Sequence, residues 1–163
     1  MQRKTGLEFG YYCQENPLVL NTRSLYFYII LIAVLLSFVT NFGFSSLLEP
    51  FLFLKNNGSS LYLSFENTYM VSHEWWRLIT PTFLHFSLTH LIFNCLWIYI
   101  LGSKIEIIDG KGVFLTLFLI SGLSSNLGQY FFTGDYLFGG LSGAVYGLLG
   151  YCFILDLDNR GQR

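Results

Sequence analysis

Residues 139–151 read GGLSGAVYGLLGY, and the reading of this run decides the fold. A polar Ser142 stands near the head of an apolar stretch, with small residues at Gly143, Ala144, Gly147 and Gly150. Glycines before the serine allow a sharp turn, and glycines after it let a second helix lie close. Whether the hydroxyl packs or works depends on the solvent in which the chain folds.

The composition answers that first. Of 163 residues, 53% are hydrophobic and 12% charged, whereas a soluble domain carries roughly 25% charge. Residues 24–48, 78–103, 113–134 and 136–155 hold no Asp, Glu, Lys or Arg, and each reaches the ~20 residues needed to cross a hydrocarbon core of about 30 Å as a helix. The expectation is an all-α polytopic transmembrane bundle, with helices at about 24–48, 81–103, 113–133 and 142–155. Residues 1–23 then form a cytoplasmic N-terminal segment, 24–155 the membrane domain with a long aromatic outer loop between its first two helices, and 156–163 a tail. The first segment is too long for a signal-peptide core and lacks a small-residue cleavage site, so it reads as a retained anchor.

Three scattered cysteines, Cys13, Cys95 and Cys152, make no disulfide framework. A net charge of -1 and the lack of a basic run point away from nucleic acid. Arg3, Lys4, Arg23, Lys104, Lys111, Arg160 and Arg163 fall on one side of the expected spans, against Lys55 and Arg77 on the other. By the positive-inside rule both termini are cytoplasmic. The outer loop holds HEWWR at residues 73–77, which reads as an aromatic interfacial belt.

Polar groups are then placed in depth. The second helix is capped either by Thr80 with Pro81 in the first turn or by Ser87 at a later start. His90 lies roughly 5 to 14 Å below the outer boundary accordingly. Asn94, four residues on, shares its face. A fourth helix from Ser142 to the charge at Asp156 is about 21 Å long, short of the core by about 9 Å, so it starts below the outer surface. Ser142 and His90 fall in one layer, and residues 136–141 form a loop at membrane depth. Such backbone is tolerated only when buried in protein or facing water. Taken singly, each group reads as packing or a bond between helices. Three at matching depth describe a hydrated pocket, and intramembrane polar groups are functional candidates.

Several chemistries fail on spacing. HEWWR has Arg77 where a zincin needs its second histidine. FTGD, at residues 132–135, lacks the first glycine of a Gly-x-Gly-Asp motif and has no second intramembrane Asp. The nucleophile elbow fails because Ala144 stands at its last glycine. His85 and His90, five apart, are expected to diverge around a helix and make a poor metal site. Small positions at Ser121, Gly122, Ser125 and Gly128 could receive the glycine face after Ser142, or leave it waiting for another helix.

HFSLTHLIFN, residues 85–94, followed by GGLSGAVYGLLGY, resembles the rhomboid family of intramembrane serine proteases in its bacterial form. The resemblance runs from about residue 76 to 151 and includes Trp76, Arg77, Glu106 and Gly110. It implies that Ser142 is the nucleophile and that its N–H, His90 and Asn94 form the oxyanion hole. It further implies that Gly140 lets substrate backbone approach and that Tyr146 packs against the base histidine. Transmembrane substrates in a bilayer, that of a bacterial plasma membrane, are implied; no metal or organic cofactor is, and the oligomeric state is left open.

One departure is serious. The family's base is a histidine on a sixth helix, and His73, His85 and His90 all precede Ser142. The expectation is four helices of six, with the base absent from this chain and His85 facing elsewhere. The competing readings are a noncatalytic rhomboid-like pseudoprotease that binds transmembrane partners and, below it, a structural or transport bundle.

Overall fold

The computed structural model describes residues 21–58 and 62–161. The segment to residue 20, with Arg3, Lys4 and Cys13, and Arg163 lie outside the described residues. Among the described residues four α-helices make the body: α1 (Leu25–Val39), α2 (Leu88–Ile108), α3 (Lys111–Thr133) and α4 (Ser142–Gly161). No strand occurs among the described residues; a single antiparallel bridge pairs Asn56 with Tyr62. Helices α2 and α3 are long and apolar enough to cross a membrane, while α1 and the apolar part of α4, Ser142–Asp156, are shorter.

These helices carry apolar residues on both their inner and outer faces. In α1, Tyr26, Ile29, Ala33 and Ser37 are buried, while Leu31, Ile32, Leu35 and Phe38 are exposed. In α2 the buried row is Leu91, Asn94, Ile98, Leu101 and Ile105, spaced three and four apart, with Ile92, Phe93 and Leu96 outside. A helix apolar all round suits protein on one side and lipid on the other. The inner rows meet in one core built from Ile29, Ala33, Ile98, Phe114, Phe118, Ala144 and Leu148.

The first helix is much shorter than the expected 24–48. It stops at Val39 because the Ser37 and Thr40 hydroxyls bond back to Ala33 O and Leu36 O, each at 2.7 Å. Asn41, Phe42 and Gly43 then take positive φ, and Ser46–Phe51 is a 3-10 turn containing Pro50. Lack of charge fixed the solvent of this run and not its backbone.

The second helix begins at Leu88 rather than at 81. Ser87 caps it, its hydroxyl accepting from His90 N at 3.3 Å. Thr80–Phe83 is a separate 3-10 turn. At the other end α2 passes Lys104 and Glu106 and ends at Ile108 instead of 103. There Glu106 Oε1 accepts from Tyr26 N at 2.8 Å, filling one of the donors that every helix start leaves open. Likewise α3 starts at Lys111 and α4 continues through Asp156 to Gly161. A charged side chain near a helix end keeps an apolar stem and a head that can reach water, so it does not end the helix.

Within residues 73–77, read as an aromatic belt, Trp75 and Trp76 are both about half exposed while Glu74 and Arg77 are buried. Arg77 is 2% exposed. Its guanidinium donates to Glu74 Oε2 at 2.6 Å, Glu49 Oε1 at 2.9 Å, Glu49 O at 2.6 Å and Leu52 O at 3.0 Å. Lys55 adds an ion pair to Glu74 at 2.6 Å. A planar, five-donor fork can serve carboxylates and carbonyls together, so Arg77 is the hub of the loop between α1 and α2.

The glycine face of α4 does find its partner within the chain. A Cβ at Gly143 would collide with the Ser125 side chain, and one at Gly147 with that of Ser121. Helices α3 and α4 therefore pack backbone to backbone through the small row, while Gly150 faces open space.

Candidate functional site

The site forms where the start of α4 meets the start of α2. Leu141 O accepts from Val145 N at 2.9 Å, so Leu141 closes the first turn of α4 and the Ser142 N–H has no partner within the helix. The positive end of the helix dipole lies at the same point. Among the described residues no hydrogen bond engages the Ser142 hydroxyl, which is partly exposed.

Residues 134–141 form a non-helical loop, and its last turn rests on the segment just before α2. Gly140 N donates to Pro81 O at 3.1 Å. A Cβ at Gly139 would stand 2.7 Å from Leu84 Cβ and 2.9 Å from Pro81 O. Gly140 has a φ of +132°, and a Cβ there would lie 2.7 Å from His90 Cε1, 3.0 Å from His90 Nε2 and 3.5 Å from Asn94 Nδ2. Only glycine fits both the backbone and the space. Two residues of chain reach at most about 7 Å, so the backbone of Ser142 lies within that distance of Gly140.

Underneath is His85, 1% exposed. Its ring stands 5.1 Å from that of His90, edge to face. Its Nε2 is 3.2 Å from Asn94 Nδ2 and 3.4 Å from Leu141 N, and its Nδ1 is 3.2 Å from Phe83 O. The expected divergence of His85 and His90 is thus corrected. His85 is off the helix, because Ser87 starts α2 three residues before His90, and the segment from Leu84 turns the ring inward. The choice of the Ser87 cap was the available signal.

The structure brings Gly140, His90 and Asn94 together, with Ser142 two residues along. Tyr146 lies one turn after Ser142 and is 72% exposed, so nothing among the described residues packs over it. Asn126 supports the arrangement from α3: its Nδ2 donates to Leu78 O at 2.8 Å and to Thr82 Oγ1 at 3.0 Å, holding the 3-10 turn that carries Pro81. Sequence reasoning missed this residue, whose only signal was an amide in an apolar helix. No group of three or more His, Cys, Asp or Glu among the described residues is placed to hold a metal.

The family model for the Rhomboid domain matches residues 72–163, which takes in the whole of this site. The chain is similar to Rhomboid protease GluP of Bacillus subtilis (strain 168), 38% identical over 95 residues. That alignment covers 58% of this chain and 18% of the relative, so the chain spans about a fifth of the length of the curated protein it matches.

Proposed function

Since this chain belongs to the rhomboid family, we propose that it contributes Ser142, His90 and Asn94 to an intramembrane serine protease acting on transmembrane proteins. The observation that carries the reading is the seating of Gly140 against His90 Cε1 and Asn94 Nδ2, two residues before a serine whose own N–H is left open by the helix start. In this reading Ser142 Oγ bonds to the carbonyl carbon of a substrate peptide, whose oxygen becomes an oxyanion. The Ser142 N–H, the His90 ring and the Asn94 amide donate to that oxygen. The C–N bond then breaks, the amine leaves with a proton, and water releases the acyl group from Ser142.

A proton acceptor for Ser142 Oγ completes the cycle. His85 cannot be it, because its Nε2 lone pair already receives Asn94 Nδ2 and Leu141 N. The acceptor is assigned in this reading to a histidine outside these 163 residues, on the family pattern. In this reading the site faces the outer side of the membrane if the charge bias sets orientation.

The test uses the full-length protein in vesicles. A fluorophosphonate probe labels Ser142, Ser142→Ala abolishes both labelling and cleavage of a transmembrane reporter, and Asn94→Ala lowers kcat by about 10²-fold. Labelling and cleavage that persist in Ser142→Ala remove this reading, and capture of a transmembrane protein without cleavage favours the noncatalytic one.

A further inference from the structure

We infer that His85 is a positioning residue of this site: a neutral imidazole, protonated on Nδ1, that fixes the Asn94 carboxamide and the Leu141 amide beside the nucleophile. The inference rests on the protease reading above for its catalytic consequence, and on the contacts alone for its structure. Two backbone groups settle the protonation. Leu141 N can only donate, and it faces His85 Nε2 at 3.4 Å, so Nε2 is an acceptor. Phe83 O can only accept, and it faces Nδ1 at 3.2 Å, so the ring proton is on Nδ1. An imidazolium fails the first requirement and the other tautomer fails both.

The Asn94 side chain follows. An oxygen placed 3.2 Å from a bare Nε2 would set two lone pairs against each other, so Nδ2 is the atom that faces His85 and donates to it. Asn94 is 2% exposed and His85 1%, and in such surroundings a polar group without its partner is costly. One Nδ2 hydrogen is thereby held by His85, and the other is left free beside Gly140. The same imidazole also grips the amide of Leu141, the residue that opens α4. One side chain thus orients an oxyanion donor and the backbone leading into Ser142, and touches no reacting atom itself.

The test begins with the imidazole nitrogens. In full-length protein labelled with 15N-histidine, the resonance pair that vanishes in His85→Gln should be an unprotonated Nε2 with a protonated Nδ1 at neutral pH. A protonated Nε2 overturns the proposal whether or not the protein cleaves anything. The second arm is kinetic. His85→Leu should lower kcat by about tenfold or more at little changed KM, and His85→Gln, whose Oε1 can accept where Nε2 did, should restore most of that loss. In an Asn94→Ala background the same His85→Leu change should cost no more than about threefold. An equal loss in both backgrounds shows that His85 does not act through Asn94 and overturns the proposal. If His85→Leu fails to fold, the nitrogen resonances and the His85→Gln variant decide it. Retained cleavage in Ser142→Ala is a separate outcome: it removes the protease reading and leaves the tautomer assignment standing or falling on its own spectrum.

Discussion

Gly140 is the residue on which the two halves of the site meet. Its φ of +132° lies where a side chain is strained, and the space a Cβ needs is held by His90 Cε1 at 2.7 Å. Strain of this kind is worth about 1–3 kcal/mol, so Gly140→Ala should shift the loop and push the imidazole aside. The expected result is reporter cleavage reduced by at least about tenfold with the helical circular dichroism unchanged. At the loop between α1 and α2 the prediction concerns pH. Burial acts to raise the Glu74 carboxyl, but the hydrogen bonds and charges of Lys55 and Arg77 outweigh it and hold Glu74 below its usual range. A depressed folded value stabilises the loop above the unfolded carboxylate range, near 4.3, and that stabilisation is lost as pH falls through the folded value. Thermal melts from pH 7 downward should therefore hold steady until about pH 4 and then drop, with a smaller drop for Glu74→Gln. At this scale the sequence told much about His90 and Asn94, whose spacing of four is a local property of a helix. It told little about His85 or Arg77. Their neighbours, Leu141 for one and Glu49 and Leu52 for the other, lie 56, 28 and 25 positions away, and no local pattern encodes such a meeting.

Between elements, the α3 and α4 contact is set by the absence of side chains. Ser121 and Ser125 occupy the volume where Cβ atoms at Gly147 and Gly143 would stand. Gly147→Leu should wedge the helices apart at about 1–3 kcal/mol, read as a lower midpoint in a denaturing detergent titration. Gly150→Leu, at a position with nothing within contact distance, should leave the midpoint within about 0.5 kcal/mol. The small row in each helix was legible, yet its pairing was not, because small residues mark a close approach without naming the helix that makes it. The ends of the helices were the least legible. The Ser37 and Thr40 hydroxyls and the positive φ values at Asn41 and Phe42 end α1 inside a run with no charged residue.

For the molecule as a whole, the charge bias makes a topological prediction. Lys55 sits in the loop built around Arg77, and Lys111 opens α3 at the opposite end of the neighbouring helix. In intact cells a membrane-impermeant maleimide should label Lys55→Cys and spare Lys111→Cys until the membrane is permeabilised; the reverse pattern would invert the orientation. The all-helical class was plain from composition alone, since a chain this apolar with long uncharged runs has few other ways to satisfy its backbone in lipid. The turn leading into Ser142 teaches something different. It has no regular structure of its own and takes its shape from Pro81 O and His85 Nε2, both more than fifty positions upstream. A casting of this sort is only as true as its mould: the address of the serine depends on where residues 80–90 stand, so a change among them can misplace the hydroxyl without touching it.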